Sequence, residues 1–388
     1  MNSDRFIRAF VTEVRNIYQT QDYIPLHAPV FKGREKDLVI QALESTFVSS
    51  VGKSVEEFET AIARYTGARY AVAVSSGTAA LHTALYAVGV ERGHEVITTP
   101  LTFVATCNAV SYCGARPVFV DVSLNSLGMS PKSLADFLEQ NAEVRDDGNC
   151  WNCSTESIIR ACVPVHNLGH PVEIEEIATI CGLYNITLIE DAAESLGSFR
   201  HAQHTGTVGR VGVLSFNGNK IITTGGGGAL ITDDEALAKR LKHLTTTAKQ
   251  PHPWLFQHDE VGFNYRLPNL NASLGLAQLA QLDDFVHEKR QLARHYEEWL
   301  IEWPEIQLFS EPTGAKSNYW LNAIITPNRQ TRDEVLRHTN ELGVMTRPMW
   351  TPMHTLPMYE HCQRLQLDNA ESIENRFVNI PSSVVSLE

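Results

Sequence analysis

The sequence predicts an α/β protein with a mostly parallel central sheet, followed by a smaller α+β domain. Three observations carry that prediction. From Tyr70 onward, short apolar β-branched runs alternate with segments of helical periodicity. Two of the runs end in polar groups suited to chemistry, Leu188-Ile189-Glu190-Asp191 and Leu214-Ser215-Phe216, as strands of open parallel sheets do at their carboxyl ends. After Ile301 the pattern changes to one strand, one helix and an extended Pro-containing segment. The division expected is therefore a large domain over residues 1–300, with N-terminal helices, and a small one over 301–388.

Taken in order, helices are expected at Arg34–Glu44 and Val55–Tyr65, joined by the small-residue loop Ser49–Lys53. Strands follow at Tyr70–Val74, Glu95–Thr98, Pro117–Val120, Ile158–Val163, Thr187–Ile189, Val211–Phe216 and Ala229–Thr232. Between them, Thr78–Val88, Ala105–Cys113, Ser133–Glu139 and Ile174–Leu183 have the spacing of crossover helices. A charged helix, Asp234–Leu244, and a long helical stretch, Asn271–Trp299, come next. Tyr319–Ile325 is a strand, Arg332–Leu342 a helix and Arg347–Pro352 extended.

Composition narrows the function. The chain has 388 residues and a net charge of −13, which argues against a nucleic-acid or anionic-membrane surface. The first twenty residues mix Asp4, Arg5, Arg8, Glu13 and Arg15 with apolar residues, unlike a signal peptide or a span, so a cytoplasmic protein is expected. The seven cysteines suit a reducing compartment, and Cys150-Trp-Asn-Cys153 has no second pair to complete a zinc site, so no metal is expected. His201 and His204 are expected in an exposed loop.

Lys220 is the residue with most to say. It lies in Leu214-Ser215-Phe216-Asn217-Gly218-Asn219-Lys220, between a strand and the glycine run 225–228, among small and amide residues that let a ligand approach. A nucleophilic amine together with a strand-end carboxylate, Asp191, points to pyridoxal 5'-phosphate (PLP) chemistry, which needs one to condense with an aldehyde and the other to pair with a ring nitrogen. Ser75-Ser76-Gly77-Thr78 opens a helix after a strand and suits a phosphate, although capping alone also explains it. The glycine run lacks the G-x-G-x-x-G and GK[ST] patterns, which sets nucleotide-fold readings aside. Phe103 follows a strand end and suits stacking on a ring. His166 and His170 either contact substrate or tie down their loop, and Asn264-Tyr265-Arg266 lies in an irregular stretch.

In this order along Pro25–Pro381, the segments Val51-Gly52, Val55–Glu59, Ser76–Leu81, Thr102–Thr106, Glu190–Glu194, Ser215–Lys220, Gly262–Leu267 and Asn379–Ser383 resemble the fold-type-I PLP-dependent sugar aminotransferases of the DegT/DnrJ/StrS family. A finer likeness, in Val163–Pro171, Ala192–Ser198 and Leu244–Lys249, is to the branch acting on UDP-4-keto-6-deoxy-N-acetylhexosamines on the routes to bacillosamine and legionaminic acid. The resemblance implies that Lys220 holds the cofactor covalently and shuttles protons, and that Asp191 pairs with the ring nitrogen. It implies that Phe103 and Ala193 flank the ring, and that Gly77, Thr78 and Ser215 hold the phosphate with Asn264 of a neighbouring subunit. Glu194 stands where many relatives have glutamine facing the ring's phenolic oxygen. His166, Arg266 and His354 are candidates for the nucleotide sugar, structural ion pairing being the open alternative for the last two. A homodimer with glutamate as donor, cycling through pyridoxamine 5'-phosphate, follows by the same likeness. A dTDP- or GDP-linked ketosugar, a sugar dehydratase and a non-catalytic sensor are the alternatives; Lys220 argues against the dehydratase, whose relatives carry histidine there.

Overall fold

The computed structural model describes residues 3–387, so residues 1, 2 and 388 of the expected domain spans lie outside it. Helices α1 (Ser3–Tyr18), α2 (Glu35–Glu44) and α3 (Lys53–Thr66) precede the sheet. Its strands are β1 (Tyr70–Val74), β2 (Glu95–Thr98), β3 (Arg116–Phe119), β4 (Ser157–Val163), β5 (Thr187–Asp191), β6 (Val211–Ser215) and β7 (Gly228–Thr232). Between and after them run α4 (Gly77–Ala87), α5 (Ala105–Tyr112), α6 (Pro131–Asn141), α7 (Ile174–Leu183), α8 (Glu235–Thr245), α9 (Asn269–Leu279), α10 (Leu282–Leu300), α11 (Arg329–Glu341) and α12 (Asp368–Arg376). None of the described helices is long and apolar enough to cross a membrane.

The strands lie in the order β1-β7-β6-β5-β4-β2-β3. Pairing is parallel from β6 through β5, β4 and β2 to β3, and β7 runs antiparallel to both β1 and β6. Helices cover both faces, which is why the central strands are closed to water on both sides: every residue of β2 and β7 is buried. The expected strands and crossover helices therefore stand within about three residues of their places at each end. The stretch 142–152, holding Cys150, folds as a short hairpin paired to β4.

Four features differ from the expectation, each for a local reason. α1 had no predicted element, yet Phe6, Phe10, Val14 and Ile17 recur at helical spacing and are buried. The stretch 271–299 is two helices, because Gln278 and Gln281 both donate to Glu35 Oε1, at 2.7 and 2.6 Å, and fix the break between α9 and α10 against α2. The strand expected from Tyr319 starts at Asn322, since Tyr319 has φ 47° and turns the chain first. His204, expected in an exposed loop, is buried, accepting from the Gly197 amide and donating to the Thr205 carbonyl.

A four-stranded antiparallel sheet, Gln307–Leu308, Asn322–Ile325, Phe377–Ile380 and Arg347–Pro348 in spatial order, packs with α11 and α12. Its core joins Ile324, Val378 and Ile380 to Phe6, Phe10 and Val14 of α1 and to Leu292 and Tyr296 of α10, so both ends of the chain share one apolar cluster. The two sheets are tied by Asp121, just past β3. Its carboxylate accepts from the Asn369 and Ala370 amides at 2.9 Å, first-turn donors of α12 that have no acceptor inside the helix. Asp121→Ala leaves those amides unpaired. It is expected to cost about 1–3 kcal/mol, read as a lower thermal midpoint together with faster hydrogen exchange at Asn369 and Ala370.

Candidate active site

A cavity of ≈290 Å³ opens beyond the carboxyl ends of β5 and β6. Asp191, the last residue of β5, lies at its buried side. Its Oδ2 accepts from the Thr106 hydroxyl at 2.8 Å, which in turn meets the Thr102 hydroxyl at 2.8 Å, and its Oδ1 accepts from the Ala193 amide at 3.2 Å. Burial pushes this carboxyl up, against the pull of Thr106, Ala193 and Lys220, so a cation placed against it would favour its charged form.

Lys220 reaches the same cavity from the loop after β6. Its Nζ is 3.3 Å from Glu194 Oε1 and 3.8 Å from the centroid of the Trp320 ring, which favours an ammonium beneath it. Trp320 is fixed by donating its indole N–H to the Asn219 carbonyl at 2.6 Å, so the ring and the lysine loop are held together. Glu194 Oε2 accepts from the Leu168 amide at 2.8 Å.

The third wall is the start of α4. Ser76 caps that helix by accepting from the Ala79 amide at 3.1 Å, and its first turn carries no acidic side chain. The Gly77 and Thr78 amides, which have no intrahelical acceptor by position, border the cavity with Ser215. Glycine is required where β7 passes: a Cβ on Gly228 would lie 2.7 Å from the Ser76 carbonyl carbon and 2.8 Å from the Gly77 nitrogen. A Cβ on Gly77 would lie 2.9 Å from that of Ser215. The arrangement is a backbone cradle for an anion.

Behind Asp191, Glu190 faces away from the cavity. Its carboxylate accepts from the amides of Gly206, Val208 and Gly209 at 2.8, 2.7 and 2.6 Å and from His166 Nε2 at 3.0 Å. The Val172 amide donates to His166 Nδ1, which leaves the proton on Nε2 and fixes the tautomer. Burial alone would raise the Glu190 carboxyl, but the His166 donor and the Gly209 and Gly206 amides outweigh it and hold the group below its ordinary value.

Of the residues singled out from sequence, Gly77, Thr78, Phe103, Asp191, Ala193, Glu194, Ser215 and Lys220 meet at this one cavity. His166 does not: it is 0% exposed and spent on Glu190 and Val172. His170 is enclosed between Phe309 and Tyr319, and His354 is buried with Nε2 3.7 Å from Glu371. Asn264 is exposed, and Arg266 pairs by backbone with Val74; neither borders the cavity. Trp320, Trp350, Thr106, Asn217 and Asn219 line it without having been singled out. Thr106 and Asn219 sat inside motifs already read, whereas Trp320 and Trp350 are over a hundred residues distant and carried no local signal.

Comparison with known proteins adds to this geometry. The DegT/DnrJ/EryC1/StrS aminotransferase family matches residues 29–386. GDP-perosamine synthase of Escherichia coli O157:H7 is 36% identical over 361 residues, covering 93% of each chain. GDP-perosamine synthase of Caulobacter vibrioides is 34% identical over 367 residues, covering 92% of this chain and 93% of that one. Among solved structures, a DegT DnrJ EryC1 StrS aminotransferase from Brucella abortus is similar with a TM-score of 0.81 and 28% identity, covering 90% of each chain.

The buried Glu190 supplies a stability test. Its folded value is depressed, so its contribution is complete above the unfolded carboxylate range near pH ~4.3 and is lost as pH falls through the lower folded value. Glu190→Gln is expected to lose about 2–4 kcal/mol at pH 7, with the gap to wild type closing in acid. Thermal midpoints of both proteins between pH 3 and 7 check this.

Proposed function

The chain belongs to the DegT/DnrJ/EryC1/StrS family of PLP-dependent aminotransferases, and from that premise we propose that it moves an amino group from glutamate to C4 of a nucleotide-linked 4-keto-6-deoxy sugar. The observation that carries the reading is the meeting of Lys220, Asp191 and the open start of α4 in one cavity. The two GDP-perosamine synthases favour a GDP-linked sugar over the UDP-linked one expected from sequence. The segments Val163–Pro171, Ala192–Ser198 and Leu244–Lys249 keep the UDP-linked N-acetylhexosamine as the second reading.

The cavity fits the cofactor: its anion cradle, its buried carboxylate and its amine match a phosphate, a basic ring nitrogen and an aldehyde. PLP, when bound, supplies the aldehyde and the electron-withdrawing ring that these reactions need. In this reading Gly77, Thr78 and Ser215 bind the phosphate, and Asp191, oriented by Thr106 and the Ala193 amide, keeps a proton on the ring nitrogen. Phe103 and Ala193 confine the ring from opposite faces. Lys220 takes a proton from the donor's α-carbon and delivers one to C4 of the sugar, so the two substrates use one site in turn.

A homodimer completes the proposal. Asn264, assigned to the phosphate by family likeness, stands exposed and off its own cavity, as suits a contact to the partner subunit's site. Trp254, Phe256 and Val261, in the adjacent segment, are 75%, 81% and 72% exposed, an apolar surface of the kind a second subunit covers.

The test supplies PLP, glutamate and in turn GDP-, UDP- and dTDP-linked 4-keto-6-deoxy sugars, and follows 2-oxoglutarate and aminated sugar by mass spectrometry. Amination of the GDP-linked sugar is expected, and Lys220→Ala is expected to lose it by about 10²–10⁴-fold or more. Amination of the UDP-linked sugar alone transfers the assignment to the second reading. No amination of any of them by protein that has bound PLP sinks the proposal.

A further inference from the structure

Two carboxyl groups and one amine face one another across the cavity, and their bonds set them apart. Asp191 has both oxygens committed, to the Thr106 hydroxyl and the Ala193 amide. Glu194 commits only Oε2, to the Leu168 amide, and turns Oε1 to Lys220 Nζ at 3.3 Å. Both side chains of that pair are nearly closed to water, Lys220 at 12% exposure and Glu194 at 4%. A carboxylate and an ammonium at such a place are expensive to desolvate. Passing one proton between them turns two buried charges into two neutral groups.

We propose that Glu194 is the proton-holding partner of Lys220, its Oε1 taking the proton the ammonium sheds when a free amine is needed and returning it when Lys220 acts as an acid. In this step the Nζ–H bond breaks, an Oε1–H bond forms, and the electron pair of the broken bond stays on nitrogen. The inference rests on the reading of Lys220 as the reacting amine.

The surroundings favour Glu194 for this task. Burial pushes its carboxyl up and the neighbouring Asp191 adds to that, while Lys220 and the Leu168 amide oppose. His27, which feels Lys289 and Lys220, is held neutral by its own burial and then by those two cations. His166 has its one proton engaged by Glu190, so it cannot stand in for Glu194. Asp191 and Glu194 are the acids among the described residues that line the cavity. Asparagine and glutamine side chains hold no exchangeable proton of this kind, so an amide at position 194 would hold the amine without relieving it of charge.

The experiment compares wild type, Glu194→Gln and Glu194→Asp, each loaded with pyridoxamine 5'-phosphate so that the Lys220 amine is free. Acetylation of Lys220 by acetic anhydride is followed against pH by peptide mass spectrometry, beside the pH profile of kcat. Removing the carboxylate is expected to lower the pH midpoint of Lys220 labelling by about one unit or more. Turnover of Glu194→Gln is nevertheless expected to fall at least about tenfold at neutral pH and to depend on pH more steeply than that of wild type, since a freer amine has lost its proton partner. Glu194→Asp, with the carboxylate on a shorter stem, is expected to bring both readouts back toward wild type. Equal labelling midpoints in wild type and Glu194→Gln would overturn the proposal. So would a lowered midpoint with unchanged turnover, which makes Glu194 an anchor only. Borohydride reduction of the PLP form separates the underlying assumption: cofactor fixed to any residue but Lys220 refutes the assignment of that lysine, whatever Glu194 does.

Discussion

Burial of the Asp191 carboxyl is the constraint around which this site is arranged. An acid at the end of a central strand, closed off from water, is tolerable only where donors and cations are aimed at it. The Thr106 hydroxyl and the Ala193 amide supply the donors, and each arrives from a different element, one from α5 and one from the chain turning out of β5. Lys220 supplies the charge. Glu190, one residue earlier, points the other way and is held as a carboxylate separately by donors from three amides and His166. Two adjacent acids are thus kept electrically apart by the alternation of a strand, with one left to face a ligand.

The antiparallel strand β7 serves the same site. β7 brings glycine backbone against the start of α4, close enough that no side chain fits between them. The helix start is thereby pressed toward β6, and Gly77, Thr78 and Ser215 converge without a single long cation among them. An anion held this way is bound by backbone, whose position the fold sets, and not by a flexible side chain that the −13 chain would have to recruit.

Much of this was legible because it is local. The strands announce themselves as apolar runs ending in Asp191 or Ser215, and the motifs at 76–78, 102–106, 190–194 and 215–220 each sit in or just beyond the carboxyl end of one strand, the first two leading into a helix. What was not legible depends on distant pairings. Trp320 comes under Lys220 only because its indole bonds the Asn219 carbonyl, about a hundred residues away in sequence. From its place after β4, His166 suits either a substrate contact or a loop anchor, and the Val172 amide and the Glu190 carboxylate decide for the second by turning it inward. The break between α9 and α10 likewise needs Glu35, which no window of helical periodicity around residue 280 contains.

The apolar cluster shared by both chain ends has a consequence for biogenesis. Phe6, Phe10 and Val14 emerge from a ribosome well before Val378 and Ile380, against which they close. Until α10 and then the last strand of the small sheet are made, α1 carries a greasy stripe with no complete place to pack, while the central sheet can already form. A nascent chain of this kind exposes an apolar helix face to wrong partners while the intervening residues are made, so holding factors that cover amphipathic helices would raise its yield.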